Sequence, residues 1–415
     1  MKNIAILGSG ISGLTAAYLL SKSFNVTLFE SKDTLGGHTA TKDVTIDKVE
    51  YAIDTGFIVF NDWTYPNFIK LMNQVGIVMQ PTEMSFSVQN ASTGLEYNGN
   101  NLSTLFAQRS NLFNPQFYRF IYEIIKFNRL TKRDLDSNKF EEDDSLNSFL
   151  NRYKFSDYFA ENYILPMVAA IWSSSLEDAK KFPLGLFLRF FKHHGLLNII
   201  NRPQWHVIEG GSRSYIPRLT ESVQNIHLNS PVQSIVRTNK GVIVNYKDTH
   251  ETFDEVIIAC HSEDALKMLA DITDMETKVL SSLKYQNNEV ILHTDESILP
   301  THKKAWASWN FWQGYSNNKP PAVTYNMNIL QGLKSPHTFC VTLNRSSDID
   351  PAKIIGKYNY SHPVYDQNTL SAQQQRPSIC GHNNTHYCGA YWYNGFHEDG
   401  VKSALDVCHR FGVSL

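Results

Sequence analysis

At 415 residues, with 42% hydrophobic and 19% charged side chains, the chain has the composition of an ordinary folded protein and the length for two domains, or for one large domain with an insertion. Lys+Arg 38 against Asp+Glu 40 leaves a formal net charge of -2, which argues against nucleic acid as a partner and confines any charged partner to a local patch. The five cysteines (Cys260, Cys340, Cys380, Cys388, Cys408) form no Cys-x-x-Cys pair and no dense framework, so a reducing, cytoplasmic setting is expected.

The first element, "KNIAILGSGISGLTAAYLLSKSFNVTLFES", reads as strand, glycine turn, helix, strand. The strand begins so early that no secretory leader is expected ahead of it, and no apolar run approaches the ~20 residues that span a bilayer. Asn3 to Leu7 is a short apolar run, and Gly8-Ser9-Gly10-Ile11-Ser12-Gly13 fits G-x-G-x-x-G. Each glycine has its own task. Gly8 permits the tight turn, Gly10 lets backbone approach a pyrophosphate, and Gly13 lets helix and strand pack closely. The helix start at Ile11 and Ser12 offers free N–H groups and positive dipole to phosphates. The second strand, Asn25 to Phe29, ends at Glu30, where a carboxylate accepts both hydroxyls of an adenosine ribose. A glycine turn alone would be weak; strand, helix, second strand and terminal Glu together point to a dinucleotide.

Next come "ESKDTLGGHTAT", with the pair Gly36-Gly37, and "YAIDTGFIVFN", with Gly56. These segments, in this order, resemble the flavin-containing amine oxidase superfamily, which includes phytoene desaturases and protoporphyrinogen oxidases. There a Glu-x-Arg-x-x-x-Gly-Gly-Arg-x segment wraps the FAD pyrophosphate and ribityl chain. The resemblance implies FAD, held by Glu30, Ser31, Lys32, Gly36, Gly37, His38 and Thr39, with Gly56, Phe57 and Ile58 along the isoalloxazine ring. Lys32 and His38 stand where the pattern has arginines; each keeps a donor but loses the bidentate fork.

The resemblance also implies two domains: an α/β, Rossmann-like FAD-binding domain of the two-dinucleotide-binding type from 1–75, 205–265 and 375–415, and an inserted α+β substrate domain from 76–204 and 266–374. In the first insert, "NLFNPQFYRFIYEIIKFNRLTKRDL" places Phe113, Phe117, Phe120, Ile124 and Phe127 at helical spacing, with basic residues largely on another face. That stripe reads either as core or as a surface that meets lipid or lines an apolar tunnel. The acidic stretch "DLDSNKFEEDDS" after it reads as a solvated turn and the next helix start. "AAIWSSSLEDAKKFPLGLFLRFFKHHGLLNIINRPQW" concentrates aromatic residues, among them Trp172, Phe187, Phe190 and Phe191, and carries His194 on an aromatic helix.

In mid-chain, "HLNSPVQSIVRTNKGVIVNYKDTHETFDEVIIAC" reads as strands with a turn at Asn239-Lys240-Gly241 and a buried last strand from Glu255 to Ala259; by the resemblance, Val232 holds the adenine. The second insert supplies "LHTDESILP" and "AWASWNFW". His293 and Asp295, two apart, are expected to share a strand face and to handle a proton, or else to bond a neighbouring loop. Trp172, His194, Trp309 and Asn310 are candidate substrate contacts. The histidines and cysteines show no metal-ligand spacing, so no metal is expected. Together with "EGGSRSYIPRL" and "GAYWYNGFHEDG", these aromatic runs are similar to a narrower group in the superfamily, FAD-binding oxidoreductases encoded beside cyclopropane-fatty-acid synthases.

The C-terminal "HYCGAYWYNGFHEDGVKSALDVCHRF" reads as a strand to Cys388, a turn at Gly389-Ala390 and a helix from about Glu398. By the resemblance, Gly389 and the backbone at Asp399, Gly400 and Val401 close the flavin site, and His397 is the side chain left to face substrate. The expected function is an FAD-dependent oxidoreductase acting on a hydrophobic substrate, a fatty-acyl chain or lipid, with peripheral membrane contact at the inner face. The alternatives are a flavin amine oxidase, which the absence of a lysine along "YQNNEVILHTD" disfavours, and a flavoprotein accessory to a lipid-modifying methyltransferase partner.

Overall fold

The computed structural model describes residues 1–415 apart from 138, 140, 142, 143, 173, 199 and 315–321. Asn3–Leu7 and Asn25–Phe29 are strands buried from their second residue onward, as strands covered on both faces must be. They are neighbours in a parallel five-stranded sheet whose order is Asn225–His227, Asn25–Phe29, Asn3–Leu7, Glu255–Ile258, Thr385–Tyr387. The crossover helix Ile11–Leu20 buries every residue except Tyr18. It is enclosed because the C-terminal helix His397–Arg410 packs on it. Gly400 permits that approach: a Cβ there would stand 2.6 Å from Ile11 Cγ2.

The mid-chain segment forms an antiparallel meander, Val232–Thr238, Gly241–Tyr246 and Thr249–Phe253. Its Tyr246 and Phe253 meet Phe29 edge-on, with ring centroids 4.9 and 5.9 Å apart, and so cover the sheet. Thr249–Phe253 is a strand the sequence pattern did not single out, because its polar run "THETF" lies largely exposed and carries almost no apolar signal.

A seven-stranded sheet forms a second layer, in the order Ile354–Pro363, Tyr285–His293, Cys340–Leu343, Ala322–Asn326, Trp309–Gln313, Phe86–Asn90, Leu95–Asn98. All neighbours are antiparallel except Trp309–Gln313 with Phe86–Asn90. Helices Pro115–Asp136, Leu165–Trp172 and Leu184–His193 lie with it around a core of Phe117, Phe120, Phe127, Phe159, Phe187 and Phe191. Residues 138, 140, 142 and 143 of the acidic stretch lie outside the described residues; Ser145 after it accepts from Ser148 N and caps the next helix.

The expectation that His293 and Asp295 share a strand face is corrected. The strand ends at His293 with a register shift, and Asp295 caps the turn Glu296–Ile298 by accepting from Ser297 N at 3.2 Å. Among the described residues no helix is long and apolar enough to cross a membrane.

Candidate active site

The glycine turn sits at the C-terminal edge of the parallel sheet. Gly8 has φ 103°, which L side chains avoid. A Cβ on Gly13 would stand 1.9 Å from the Gly8 carbonyl oxygen, so this glycine serves close packing and borders no open space. Gly10 is the opposite: nothing lies within 4 Å of where its Cβ would be. Beyond it the helix starts without a side-chain cap, leaving the first-turn N–H groups of Ile11 and Ser12 to a ligand. Glu30 is buried; its carboxylate accepts from Ser9 N at 3.0 Å and Lys32 N at 2.9 Å. Gly36 N donates to Ser9 O at 3.1 Å, which lays the Gly36-Gly37 loop over the turn.

Gly8, Gly10, Ile11, Ser12, Glu30 and Gly37 border one cavity of about 1060 Å³. At one end stand Gly8, Gly10, Ile11, Ser12, Glu30, Ser31 and Val232, then Gly37, His38, Gly56, Phe57, Ile58 and Gly389. His38 Nε2 is buried there with no protein partner among the described residues. Burial, with His362 and His261 nearby, lowers its pKa to about 3, so the ring is neutral. An open glycine backbone, an uncapped helix start, a buried carboxylate at the end of the second strand and an unpartnered imidazole nitrogen make a set that suits FAD. When bound, FAD supplies hydride acceptance.

Several expected contacts stand elsewhere. Gly13, Lys32, Gly36, Thr39, Asp399, Gly400 and Val401 do not border the cavity. Lys32 is exposed, and its charge only helps to hold His38 and His261 neutral. The Thr39 hydroxyl bonds Tyr215 and lies 3.3 Å from His397 Nε2. Asp399 caps its own helix by accepting from Phe396 N at 2.9 Å, and burial raises its pKa to about 7. Glu398 caps the neighbouring helix Pro66–Gln74 by accepting from Phe68 N at 2.8 Å. The C-terminal helix therefore buttresses Ile11 and Ser12 from behind instead of touching the cavity with Asp399 to Val401.

Of the three candidate catalytic groups, only His397 borders the cavity. Its ring lies flat on Phe57, centroids 3.5 Å apart and planes at 7°, and Nε2 is 3.0 Å from the Tyr215 hydroxyl. Burial lowers its pKa well below the usual value, so it too is neutral. His293 bonds Thr342 at 2.7 Å. At Asp295 burial is outweighed by bonds from Asp350 N and Lys353, which hold the carboxyl below its usual range. Both residues therefore belong to a buried network that does not border the cavity.

The far half of the cavity is apolar. Ile121, Ile124, Ile125 and Asn128 of Pro115–Asp136 face it, as do Met167, Ile171 and Trp172, with Phe190 and His194. Trp309 and Tyr325 close it from the sheet, edge to face at 5.0 Å. Asn310 does not reach it; its side chain is used by Ser87, the Ala307 backbone and Thr324 O. His194 borders it while stacked on Phe190 at 3.8 Å, and burial lowers its pKa to about 4. The aromatic stripe thus divides: Phe117, Phe120 and Phe127 are core, Ile124 is wall, and Phe113 is exposed.

Tyr285, His362, Tyr365 and Tyr391 also border the cavity and were not foreseen. Tyr285 and Pro363 face each other across adjacent strands, a pairing no local spacing reveals.

A family model for the flavin containing amine oxidoreductases matches residues 11–327. Among solved structures, the CLA-producing fatty acid isomerase from P. acnes superposes with TM-score 0.72, over 99% of this chain and 98% of that one, at 17% identity. Cyclohexylamine oxidase from Brevibacterium oxydans IH-35A gives 0.69 over 99% of each chain at 13% identity. A putative protoporphyrinogen oxidase from Exiguobacterium sp. 255-15 gives 0.68 over 99% and 98% at 16% identity. At such identities the superpositions speak for the fold; with the family match and the nucleotide end of the cavity, they place this chain in the flavin-containing amine oxidoreductase family, as an FAD-dependent oxidoreductase.

Proposed function

We propose that the enzyme oxidises or dehydrogenates a fatty-acyl chain lying in the apolar half of the cavity. The observation that carries this reading is the wall itself: Ile121, Ile124, Ile125, Met167, Ile171 and Trp172, from two helices, face the same space. Each methylene buried against such a wall contributes about 0.8 kcal/mol without needing a polar partner. An ammonium substrate would find no carboxylate there among the described residues: those that border the cavity, Glu30 and Asp264, belong to the nucleotide end. The lysine of the lining, Lys267, lies on Ser262–Met268 at that same end. The fatty acid isomerase named above is one protein of this fold that acts on a fatty acid.

Bound FAD would supply hydride acceptance; with a proton taken by the protein, the chain would be left with a carbon–carbon double bond. His397 is neutral and borders the cavity; the Tyr215 hydroxyl bonds its Nε2 and holds the ring in place, so Nδ1 is the atom left to take the proton. The exposed stripe Tyr118, Tyr122, Ile125 and Arg129 runs along the helix that also forms the wall, and Leu102 (75% exposed) and Ile125 (50%) both border the cavity. The cavity therefore reaches the surface within an apolar, basic-flanked face, which suits uptake from an anionic lipid surface.

Anaerobic mixing of the holoenzyme with unsaturated and saturated fatty acids, phospholipids and amines tests the reading. Bleaching of the flavin by an acyl compound, with a new double bond in the product by mass spectrometry, is the expected outcome. Bleaching by amines alone would overturn it.

A further inference from the structure

Formal charge is distributed unevenly along the cavity. Glu30, Asp264 and Lys267 border the nucleotide end, whereas among the described residues the wall from Met84 to Trp205 carries a single charged side chain, Arg202. Arg202 follows the aromatic helix Leu184–His193, with Leu196, Pro203 and Trp205 beside it in the wall. Its Nε donates to the Asn198 carbonyl at 2.8 Å, which fixes the stem and leaves the Nη1–Nη2 edge for another acceptor. No carboxylate among the described residues pairs with it. The guanidinium nevertheless acts inward: burial raises the Tyr163 hydroxyl to about 12, and Arg202 is the charge that pulls against that rise. Tyr163 borders the same stretch of cavity.

A cation at the rim of an otherwise uncharged, apolar wall has a specific use. A guanidinium edge binds two oxygens of a carboxylate or phosphodiester at once, and it is less strongly hydrated than an ammonium. We propose that Arg202 receives the acidic head group of the acyl substrate, a carboxylate or a phosphodiester oxyanion, while the chain lies along Tyr163, Met167 and Ile124. This inference rests on the acyl reading and adds selection for charged over neutral lipids. It adds a second consequence. With the head group held at one point, the carbon that reaches the flavin end is set by its distance along the chain.

The test uses holoenzyme and isothermal titration with palmitate, methyl palmitate and a short-chain phosphatidylglycerol. Arg202→Gln is expected to weaken palmitate by roughly tenfold or more and methyl palmitate by less than about twofold, with Arg202→Lys between. A loss confined to phosphatidylglycerol also supports the assignment and identifies a phospholipid as the source. Equal weakening of palmitate and its ester, or no weakening of either anionic lipid, overturns it. Failure of wild-type holoenzyme to bind any of the three overturns the acyl reading and this inference together, and is recognised before a variant is made. Arg202 is exposed, so an unchanged melting temperature and flavin spectrum will show that the variants fold.

Discussion

At the nucleotide end of the cavity Gly10, Gly37 and Gly56 offer bare backbone, and the side chains that matter, Glu30 and His38, come from one short stretch of chain. At the acyl end the wall is all side chain, drawn from Pro115–Asp136, Leu165–Trp172, Leu184–His193 and the far sheet. One end is built on bare backbone around the glycine turn, with Gly56, Val232 and Gly389 brought to it from elsewhere in the chain. The other is assembled by tertiary packing and is defined by volume and polarity. The difference teaches that cofactor and substrate recognition should break separately.

The largest effect is expected at the nucleotide end. Gly13→Ala forces a Cβ to within 1.9 Å of the Gly8 carbonyl oxygen, backbone that no rotamer change relieves, at a cost of about 3 kcal/mol or more. The variant should be insoluble or colourless. Gly10→Ala meets nothing within 4 Å, so its melting temperature without flavin should match wild type while FAD affinity falls. Flavin content and thermal melting distinguish the two.

Next in size is the acyl end. Met167→Glu puts an unpaired charge in the apolar wall, and acyl-driven flavin reduction should fall about 100-fold with FAD content unchanged. Equal loss of flavin would erase the separation between the two ends.

Smaller effects test groups assigned to structure. Asp295→Asn weakens the pair with Lys353, 3.0 Å, and the bond from Asp350 N, 2.9 Å, and should cost about 2 kcal/mol of stability with turnover intact. Because the folded pKa of Asp295 is held below its unfolded value, that stability is present above pH about 4 and is lost as pH falls through the folded pKa. Melting curves of both proteins should therefore converge in strong acid. His194 has its folded pKa lowered to about 4, so its contribution is present above its unfolded value and is lost as pH falls from there toward 4. His194→Phe keeps the stack on Phe190 and should flatten that slope, by under about 1 kcal/mol near pH 6.

The strands Asn3–Leu7 and Asn25–Phe29 were legible to the residue, because strands buried on both faces are largely apolar, here broken only by Thr27. Glu30 and the glycine turn were legible for the same local reason. The helix Pro115–Asp136 was legible as a helix, but its three faces were not. Periodicity marks which residues are apolar; what each face meets depends on helices and strands distant in sequence. His293 and Asp295 misled because alternation was extended past a bulge, and Asp399, Gly400 and Val401 because their turn packs on Ile11 and Ser12 instead of bordering the cavity.

The most direct measurement of the two-ended cavity is photolabelling of holoenzyme with a fatty acid bearing a diazirine in mid-chain, followed by peptide mass spectrometry. The account predicts label on residues 121–128 and 163–172, displaced by unlabelled fatty acid and retained when flavin is reduced. Label on the nucleotide end, or only on surface peptides with no displacement, would contradict it.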